Sequence, residues 1–313
     1  MKKILCIGSV TTDIIVSPAD SIPSPGTMHS VKCVTAHVGG CASNAAIDLA
    51  KLGVPPILSC KVGKDSFGSF VIEAAKSAGV DVSGVVQDSS VNTTASVVCI
   101  HSSGERSMLY SPGSTSAFTV EDISEPCFAK SDIVFIAGAL ILTKFDGSPS
   151  ASFLKRAQEA GKYTIMDTAW DLEEVWLPKV IESIPYLDLF MPSYDEAAKL
   201  SGEIELSKIA DAFFSMGAKN VIIKIGKDGA YVCQQNGSRY ILPTYTFVKP
   251  VDTTGAGDSF CAGFLCGLSQ GWDYKQSGRF ANAVGTHCIM EIGASTGIQS
   301  IAKTLQFMQE HPL

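Results

Sequence analysis

The stretch "VDTTGAGDSFCAGF", residues 251–264, contains a glycine-rich loop that leads into a helix. Upstream, residues 238–250 alternate apolar and polar residues as a strand does, and they end at a proline. Downstream, Phe260, Phe264 and Leu268 recur at the spacing of one helical face. The first N–H groups of a helix have no partner within it, and this end carries partial positive charge. The loop therefore predicts an anion site.

Asp258 places a carboxylate directly after this loop, where an anion would bind. In one interpretation, the N–H groups of Gly255, Ala256 and Gly257 bind a transferring phosphoryl group, and Asp258 accepts the proton of a substrate hydroxyl. In the other, Asp258 only caps the helix or opposes its dipole, an effect of about 0.3–1 kcal/mol. The loop alone does not decide between the two.

Composition excludes several classes of protein. A chain of 313 residues with 46% hydrophobic residues can bury a large core. A net charge of −7 without a basic run argues against nucleic-acid and acidic-membrane partners. The ten cysteines are scattered without a C-x-x-C pair, which predicts reduced core thiols. The N-terminal apolar run is too short for a signal peptide, and no run approaches transmembrane length, so we expect a cytoplasmic protein that begins with a strand.

Short apolar runs alternate with helical patterns along most of the chain. The apolar runs predict buried strands in the segments ILCIGSV, DIVFIAGAL, YTIMDTA, LDLFMPS and NVIIKIG. The segments SNAAIDLAKLG, FGSFVIEAAKSAG, ASFLKRAQEAG and IADAFFSMGA predict helices, most of which end at glycine. This order indicates βαβ units, and hence a mainly parallel sheet with helices on both faces.

Two segments, residues 12–38 and 94–112, interrupt this order. Both alternate in β fashion between turn residues, and Ser103 with Gly104 predicts a hairpin turn. We expect them to form a small second sheet. The polar segments GSVTTD and DTTGAGD fall at the carboxyl ends of strands in the main sheet, where folds of this class collect functional groups.

The sequence argues against three other functional classes. No G-x-x-x-x-G-K-[ST] motif occurs, and "GAGDSF" has Phe260 at the third glycine position of a dinucleotide fingerprint. The second observation argues against a hydride-transfer enzyme. A noncatalytic sensor of sugars or nucleotides would not need Asp258, so the aspartate beside an intact loop argues against that class as well.

Two segments closely resemble the signatures of the ribokinase-like (PfkB) family of carbohydrate kinases. They are "DTTGAGDSFCAGF" and "GGCASNAAIDLAKLG", residues 39–53. The segments GSVTTD, KVGKDSFG, MPSYDEA and IKIGKDGAYV also follow the family's order, so the resemblance covers essentially the whole chain. It implies one α/β domain, residues 1–313, with three α/β/α layers and a β-sheet lid formed by residues 12–38 and 94–112.

The resemblance also implies the reaction and its catalytic residues. The γ-phosphoryl group of ATP would pass to a hydroxyl of a sugar or nucleoside. Asp258 matches the family's catalytic base, and Gly255, Ala256 and Gly257 match its anion hole. The positions that match acceptor-binding residues are Thr11, Asp13, Gly39, Gly40, Asn44 and Asp258. Their ordinary alternatives are that Ser43 or Asn44 caps a helix and that Asp13 ends the first strand.

The nucleotide and metal residues follow from the same resemblance. The positions that match ATP-binding residues are Lys224, Gly226, Gly229, Gly257 and Asn282. Glu196 matches a residue that contacts Mg²⁺ through water, although this chain has Ser193 where the family commonly has asparagine. A solvated carboxylate is the alternative. The positions that match a monovalent-cation site, for potassium, are Asp252, Thr254, Gly293 and Ser295. The alternative for Asp252 is an Asx-turn.

The acceptor class rests on two positions where a cation is missing. Ribose and phosphosugar kinases of the family often have lysine where this chain has Cys41. Asp171 occupies the arginine position of a stretch that resembles D-P-N-x-R-x-x-L-W, and a carboxylate there would repel an anion. We therefore expect a neutral ribose- or fructose-like acceptor, with a nucleoside or a sugar acid as the alternatives. Because the family's lid often pairs two subunits, the resemblance also points to a homodimer through the lid.

Overall fold

A computed structural model describes residues 1–103 and 105–313, and these residues form two β-sheets and the helices around them. The strands are β1 (Ile4–Gly8), β2 (Thr11–Ser17), β3 (Cys33–Gly39), β4 (Ile57–Gly63), β5 (Asp81–Asp88), β6 (Ala95–Ile100), β7 (Arg106–Ser111), β8 (Ile133–Ala139), β9 (Tyr163–Thr168), β10 (Leu189–Phe190), β11 (Asn220–Lys224), β12 (Ala230–Gln234) and β13 (Arg239–Leu242). The α-helices are α1 (Cys41–Lys51), α2 (Ser66–Ser77), α3 (Gly113–Ala117), α4 (Glu125–Lys130), α5 (Ser148–Glu159), α6 (Tyr194–Ser201), α7 (Leu206–Ser215), α8 (Ala256–Ser269), α9 (Tyr274–Ile289) and α10 (Ile301–Glu310).

The large sheet has the order β13-β12-β11-β10-β9-β8-β1-β4-β5 over the described residues. All neighbouring strands from β11 to β5 are parallel, and β12 is antiparallel to both of its neighbours. Successive residues of a strand point to opposite faces, so Ile4 and Cys6 enter one hydrophobic core while Leu5 and Ile7 enter another. Helices α1, α8 and α9 cover the first face, and α5 and α7 cover the second. This arrangement confirms the three-layer prediction.

The small sheet has the order β3-β2-β6-β7 and contains both segments predicted to form it. Strands β2 and β6 are parallel, and the two outer pairs are antiparallel. We call these four strands the lid. Much of β3 and β7 is exposed, whereas every residue of β1 is buried. Of the predicted hairpin turn, Gly104 lies outside the described residues.

The N-terminal and cysteine predictions agree with the structure. The first apolar run is strand β1 near the middle of the large sheet. All ten cysteines are free thiols, and seven of them are buried. No helix in residues 1–103 and 105–313 is both long enough and apolar enough to cross a bilayer.

The strand predicted for residues 238–250 is only partly formed. Strand β13 ends at Leu242, one residue before Pro243, and the rest has no regular hydrogen bonding apart from a turn. Proline has no N–H to donate to a ladder, so it ends the pairing with β12. Five residues of this segment instead border a cavity, namely Thr244, Tyr245, Thr246, Val248 and Pro250. The alternation beyond Pro243 therefore reflects a cavity wall and not a strand.

The exposure of the lid predicts its behaviour in solution. Amides of β3 and β7 should exchange hydrogen faster than those of β1 and β8 in the free protein, because few buried contacts hold the outer lid strands. Binding of an acceptor under the lid should slow exchange in residues 12–38 and 94–112. Hydrogen-exchange mass spectrometry with and without acceptor measures both effects. Equal protection of lid and central strands in the free protein would contradict a mobile lid.

Candidate active site

Helices α1 and α8 pack together and join the two signature segments. The Asn44 amide nitrogen Nδ2 donates to Asp258 Oδ2 at 2.8 Å. One turn further along α1 and one residue further along α8, Ser259 Oγ donates to Asp48 Oδ2 at 2.6 Å. Asn44, Asp48 and Ser259 are buried. Residues more than 200 positions apart in the chain are thus held together by two polar contacts.

Asp258 is the third residue of α8 and lies partly buried where the two helices meet. Its burial raises the pKa of the carboxyl above its usual value, and the Asn44 amide and the Lys224 ammonium group act in the opposite direction. The carboxylate oxygen Oδ2 accepts its hydrogen bond from Asn44 rather than from the first turn of α8. Asp258 therefore lies in the first turn of α8 without capping it through a side-chain hydrogen bond.

The loop before α8 provides backbone donors. Gly255 has a φ of 78°, and a Cβ there would lie 2.6 Å from the side chain and carbonyl oxygen of Ala294, so only glycine fits. Among the described residues, the N–H groups of Gly255 and Gly257 donate to no acceptor, whereas that of Ala256 donates to the Thr253 carbonyl at 3.2 Å. The predicted anion hole thus has two free donors and a third that is engaged within the turn.

The acceptor-binding candidates lie together at the base of the lid. Thr11 pairs with Gly39 across β2 and β3, and a Cβ on Gly39 would lie 2.0 Å from Asp13 Oδ2. Asp13 also accepts a hydrogen bond from Ser96 Oγ on β6. Burial raises the pKa of Asp13, and the Ser96 hydroxyl opposes this shift. The carboxylate is therefore fixed against the backbone that leads into α1.

The structural alternatives for Ser43, Asn44 and Asp13, helix capping and a strand end, are wrong. Gly40 is the N-cap of α1 and has no side-chain cap, so neither Ser43 nor Asn44 fills that role. Asp13 lies within β2 and does not end the first strand. Gly40 has a φ of 94°, and a Cβ there would lie 2.7 Å from the Ser9 carbonyl oxygen. These features leave Asn44 free to bind Asp258.

A cavity of about 510 Å³ lies on the other side of the loop, between α8, α9 and the segment after β13. Its lining includes all five residues predicted to bind ATP, which are Lys224, Gly226, Gly229, Gly257 and Asn282. The sequence prediction missed its apolar walls, which include Tyr245, Val248, Phe260 and Ile289. Pro243 and Pro250 lie at the two ends of the segment after β13, and this pair of prolines was a sequence signal for a loop instead of a strand.

Asn282 has a structural contact within this cavity wall. Its amide nitrogen donates to the carbonyl oxygens of Leu242 and Pro243, each at 3.0 Å. Both amide hydrogens therefore hold the end of β13, and only the amide oxygen is left for a ligand.

Lys224 forms a buried ion pair that sequence reasoning missed. Its Nζ lies 2.6 Å from Oδ1 of Asp167, at the end of β9, and Cys261 Sγ donates to Oδ2 of the same carboxylate at 3.3 Å. Burial raises the pKa of Asp167 to about 6, and the Lys224 charge opposes this. Burial lowers the pKa of Lys224, but the carboxylate outweighs it and keeps the lysine charged. The cavity thus has a fixed cation beside Gly257.

Glu196 accepts hydrogen bonds that indicate a capping box. Its Oε2 accepts from the backbone N–H of Ser193 at 3.0 Å and from Thr168 Oγ1 at 2.8 Å. The solvated alternative is therefore wrong, and the S-x-x-E pattern was the signal. Within the described residues no three His, Cys, Asp or Glu side chains form a metal cluster. One carboxylate beside a phosphate site fits magnesium, which keeps most of its waters and binds substrate phosphates.

The four residues predicted to bind a monovalent cation lie close together, but their oxygens are engaged. Asp252 Oδ1 accepts from the N–H and hydroxyl of Thr254, so the Asx-turn is present. Asp252 Oδ2 accepts from the N–H of Gly293 at 3.0 Å. Arg106 of the lid donates to Asp252 and to Thr254. The Ser295 carbonyl accepts from Lys51 Nζ at 2.6 Å.

The chain matches a known family over nearly its whole length. A profile described as "pfkB family carbohydrate kinase" matches residues 1–301. The chain belongs to this family. It is therefore a phosphotransferase with an alcohol group as acceptor, a sugar or nucleoside kinase.

Relatives of this PfkB kinase differ in their acceptors. It is 29% identical to 2-dehydro-3-deoxygluconokinase of Bacillus subtilis over 296 residues, which cover 90% of each chain. It is 26% identical to ribokinase of Staphylococcus aureus over 312 residues, which cover 97% of this chain and 99% of the relative. The crystal structure of Thermotoga maritima ribokinase matches with a TM-score of 0.84 at 26% identity, covering 99% of this chain and all of the other.

Alanine at Gly39 tests whether Asp13 contacts the acceptor. The new Cβ would overlap Asp13 Oδ2, so the carboxylate must move. Loss of a hydrogen bond to a charged group, about 1.5–3 kcal/mol, should raise KM for the acceptor roughly 10- to 150-fold and leave KM for ATP nearly unchanged. Steady-state kinetics with each substrate varied in turn measures this.

Gly257→Ala is the matched control, because its Cβ would lie in the nucleotide cavity 3.5 Å from Lys224 Nζ. Its effect should fall on KM for ATP. An acceptor KM in Gly39→Ala within about twofold of the parent would mean that Asp13 does not contact the acceptor.

Proposed function

We propose that this PfkB kinase transfers the γ-phosphoryl group of ATP to a hydroxyl of a neutral, ribose- or fructose-like sugar. The observation that carries the proposal is the position of Asp258. Its carboxylate contacts Asn44 of the acceptor region, while Gly257, the residue before it, borders the cavity of about 510 Å³. A hydroxyl bound at Asp258 would therefore meet a phosphoryl group bound at the start of α8.

The proposed roles follow from this arrangement. Asp13, Asn44 and the backbone of Gly39 and Gly40 bind and orient the acceptor, because carboxylates and amides suit sugar hydroxyls. Asp258 accepts the hydroxyl proton as the acceptor oxygen bonds to the γ-phosphorus. The bond from this phosphorus to the bridging oxygen breaks in the same step, and ADP leaves with that oxygen.

Other residues stabilise the charge that the transfer moves. The free N–H groups of Gly255 and Gly257 point to the developing charge on the phosphoryl oxygens. Lys224 adds a fixed positive charge beside Gly257. Bound Mg²⁺ would neutralise phosphate charge. Glu196 would hold one of its water molecules, and the lid would exclude bulk water from the reacting group.

A neutral acceptor is supported by the pairing of nearby cations. Lys224 is paired with Asp167, and Arg106 is paired with Asp252. Lys179 is paired with Asp171 at 2.6 Å and with Glu173 at 2.8 Å. The sequence predicted that Asp171 would repel an anionic acceptor, and this prediction is wrong. The Asp171 carboxylate is buried and neutralised by Lys179, so it presents no free charge. Two observations therefore support a neutral acceptor. The nearby cations are already paired, and the carboxylates of Asp13 and Asp258 would repel an anion.

A nucleoside remains the second candidate because of a cavity next to the acceptor residues. This cavity, of about 430 Å³, is bordered by Tyr110 of the lid and by Pro112, Leu140 and Leu172. The Tyr110 hydroxyl is buried and has no partner among the described residues. Burial raises the pKa of Tyr110 to about 12, and the nearby Asp13 carboxylate acts in the same direction. The lining also includes polar side chains, among them Ser116, Thr143 and Lys179, and apolar walls with a few polar groups suit a nucleobase.

The lid also supports the proposed homodimer. Val34, Met108 and Leu109 are large apolar side chains on its outer strands, and each is about 60% exposed. Val34 lies on one edge of the lid and Met108 and Leu109 on the other, so both edges of the lid carry exposed apolar side chains. We propose that a second copy of the chain covers them.

Asparagine at position 258 tests the general base. The variant keeps the shape of the side chain and its contact with Asn44, but it cannot accept the hydroxyl proton. Turnover should fall by about two to four orders of magnitude while ATP affinity stays near the parent value. In the parent, kcat/KM should fall with decreasing pH at a midpoint above the usual aspartate pKa, because burial raises it and only the ionised form accepts a proton.

Asp273→Asn is the matched control, because Asp273 caps the start of α9 through Gln276 and lies outside the proposed centre. It should leave turnover unchanged. Turnover of Asp258→Asn within about threefold of the parent would show that Asp258 is a structural residue.

A panel of acceptors tests the substrate class. We expect kcat/KM for ribose or fructose to exceed that for fructose 6-phosphate and 2-keto-3-deoxygluconate by at least about tenfold, because an unpaired anion would lose a charge-assisted contact of about 1.5–3 kcal/mol. Adenosine in the same panel distinguishes the nucleoside candidate. A preference for either anionic compound would contradict the neutral acceptor and leave the kinase assignment unchanged.

A further inference from the structure

The family resemblance predicts a potassium ion at Asp252, Thr254, Gly293 and Ser295, and the oxygens of these residues fit such an ion poorly. A dehydrated monovalent cation needs several oxygen atoms that point at it together. Both carboxylate oxygens of Asp252 already accept hydrogen bonds. The Thr254 carbonyl accepts from Cys288 Sγ at 3.4 Å, and the Gly293 carbonyl accepts from the Thr296 N–H at 3.4 Å.

Two cationic side chains of the chain itself occupy this region. The guanidinium of Arg106 lies 2.8 Å from Asp252 Oδ1 through Nη2 and 2.7 Å from Thr254 Oγ1 through Nη1. On the other side, Lys51 Nζ donates to the Ser295 carbonyl. In the described part of the chain, the Asp252 carbonyl oxygen accepts no hydrogen bond, and the Ser295 hydroxyl lies beside the buried carboxylate of Asp48. While Arg106 and Lys51 occupy this region, a third cation would be repelled by the first two.

Arg106 has the geometry to replace an ion at this position. Its planar fork contacts the carboxylate and the neighbouring hydroxyl at once, which a lysine ammonium group could not do with the same rigidity. Thr254 immediately precedes Gly255, where the phosphate loop turns into α8. Arg106 begins β7 of the lid. The contact therefore joins the lid to the loop that the reaction uses.

We propose that Arg106 supplies at Asp252 the positive charge expected from a monovalent cation, so that this kinase works without potassium. Arg106 is a positioning residue: it fixes the Asp252–Thr254 turn and thereby the first N–H groups of α8. The lid carries this charge, so lid closure and order in the phosphate loop are coupled. This inference rests on the kinase activity of the proposed function and is independent of which acceptor is used.

The experiment compares potassium with tetramethylammonium chloride at constant ionic strength. Turnover of the parent should change by less than about twofold between the two salts. Arg106→Met keeps the side-chain length and loses the charge, so it should lose at least about tenfold in kcat/KM in tetramethylammonium. Potassium should restore part of this loss. Arg106→Lys should retain potassium independence and an intermediate activity.

Thermal unfolding gives a second measurement that needs no acceptor. Potassium should raise the Tm of Arg106→Met, because an ion that binds the folded state stabilises it, and should leave the Tm of the parent unchanged. Arg239→Met is the matched control, since Arg239 forms a comparable surface ion pair with Asp211 far from the lid. It should show no response to potassium in either measurement.

Three outcomes would overturn the inference. One is strong activation of the parent by potassium. Another is an Arg106→Met variant with parental activity in tetramethylammonium. The third is an Arg106→Met variant that loses activity and stability equally in both salts, which would show a structural contact without a cation role. If no acceptor is turned over by the parent, the proposed function fails, while the Tm measurement still decides on Arg106.

Discussion

The hydrogen bond between Asn44 and Asp258 is the contact on which the proposed centre depends. It lies between α1 and α8, and the Asp48–Ser259 bond lies beside it, one turn further along α1 and one residue further along α8. A buried polar group that loses its partner costs about 1–3 kcal/mol, so these two bonds fix how far one helix slides along the other. Burial raises the pKa of Asp48 to about 7 even with the Ser259 hydroxyl opposing the shift. The register of the two helices places Asp258 between the acceptor region and the nucleotide cavity.

The topology of the large sheet determines which residues can reach this centre. Strands β1, β9 and β11 are parallel members of one sheet, so their carboxyl ends lie at the same edge. Asp167 and Lys224 come from two of these ends and pair across them. The lid begins directly after β1 and places Asp13 and Arg106 over the same edge. The backbone packs closely at Gly39 and Gly255. A side chain at Gly39 would collide with Asp13, and one at Gly255 would collide with Ala294.

Most of the fold was predictable because local patterns carry it. The period of apolar residues located the strands and helices of the βαβ units. The two signature segments contain Asn44 and Asp258, which meet in the proposed centre. The same pattern misled at residues 238–250, where alternation belongs to a cavity wall and Pro243 ends the strand. The capping box of Glu196 was also readable from the sequence, since Ser193 and Glu196 have its spacing.

The contacts that sequence reasoning missed are long-range pairings. Lys224 and Asp167 are 57 residues apart, and Arg106 and Asp252 are 146 residues apart. No local pattern indicates which carboxylate a lysine or arginine will meet once the chain has folded. Asp171 shows the same limit, because its position suggested a free negative charge and the fold pairs it with Lys179. Site geometry therefore depends on tertiary structure, which local sequence patterns do not give.

In the proposed mechanism, Asp258 receives the proton of the acceptor hydroxyl at the start of α8. A crystal structure with a sugar that the enzyme phosphorylates and a non-hydrolysable ATP analogue would show this contact. We predict an acceptor hydroxyl oxygen within about 2.6–3.2 Å of the Asp258 carboxylate, with the terminal phosphoryl group against the N–H groups of Gly255 and Gly257. A reactive hydroxyl that contacts a different side chain, with Asp258 bound only to Asn44, would contradict it.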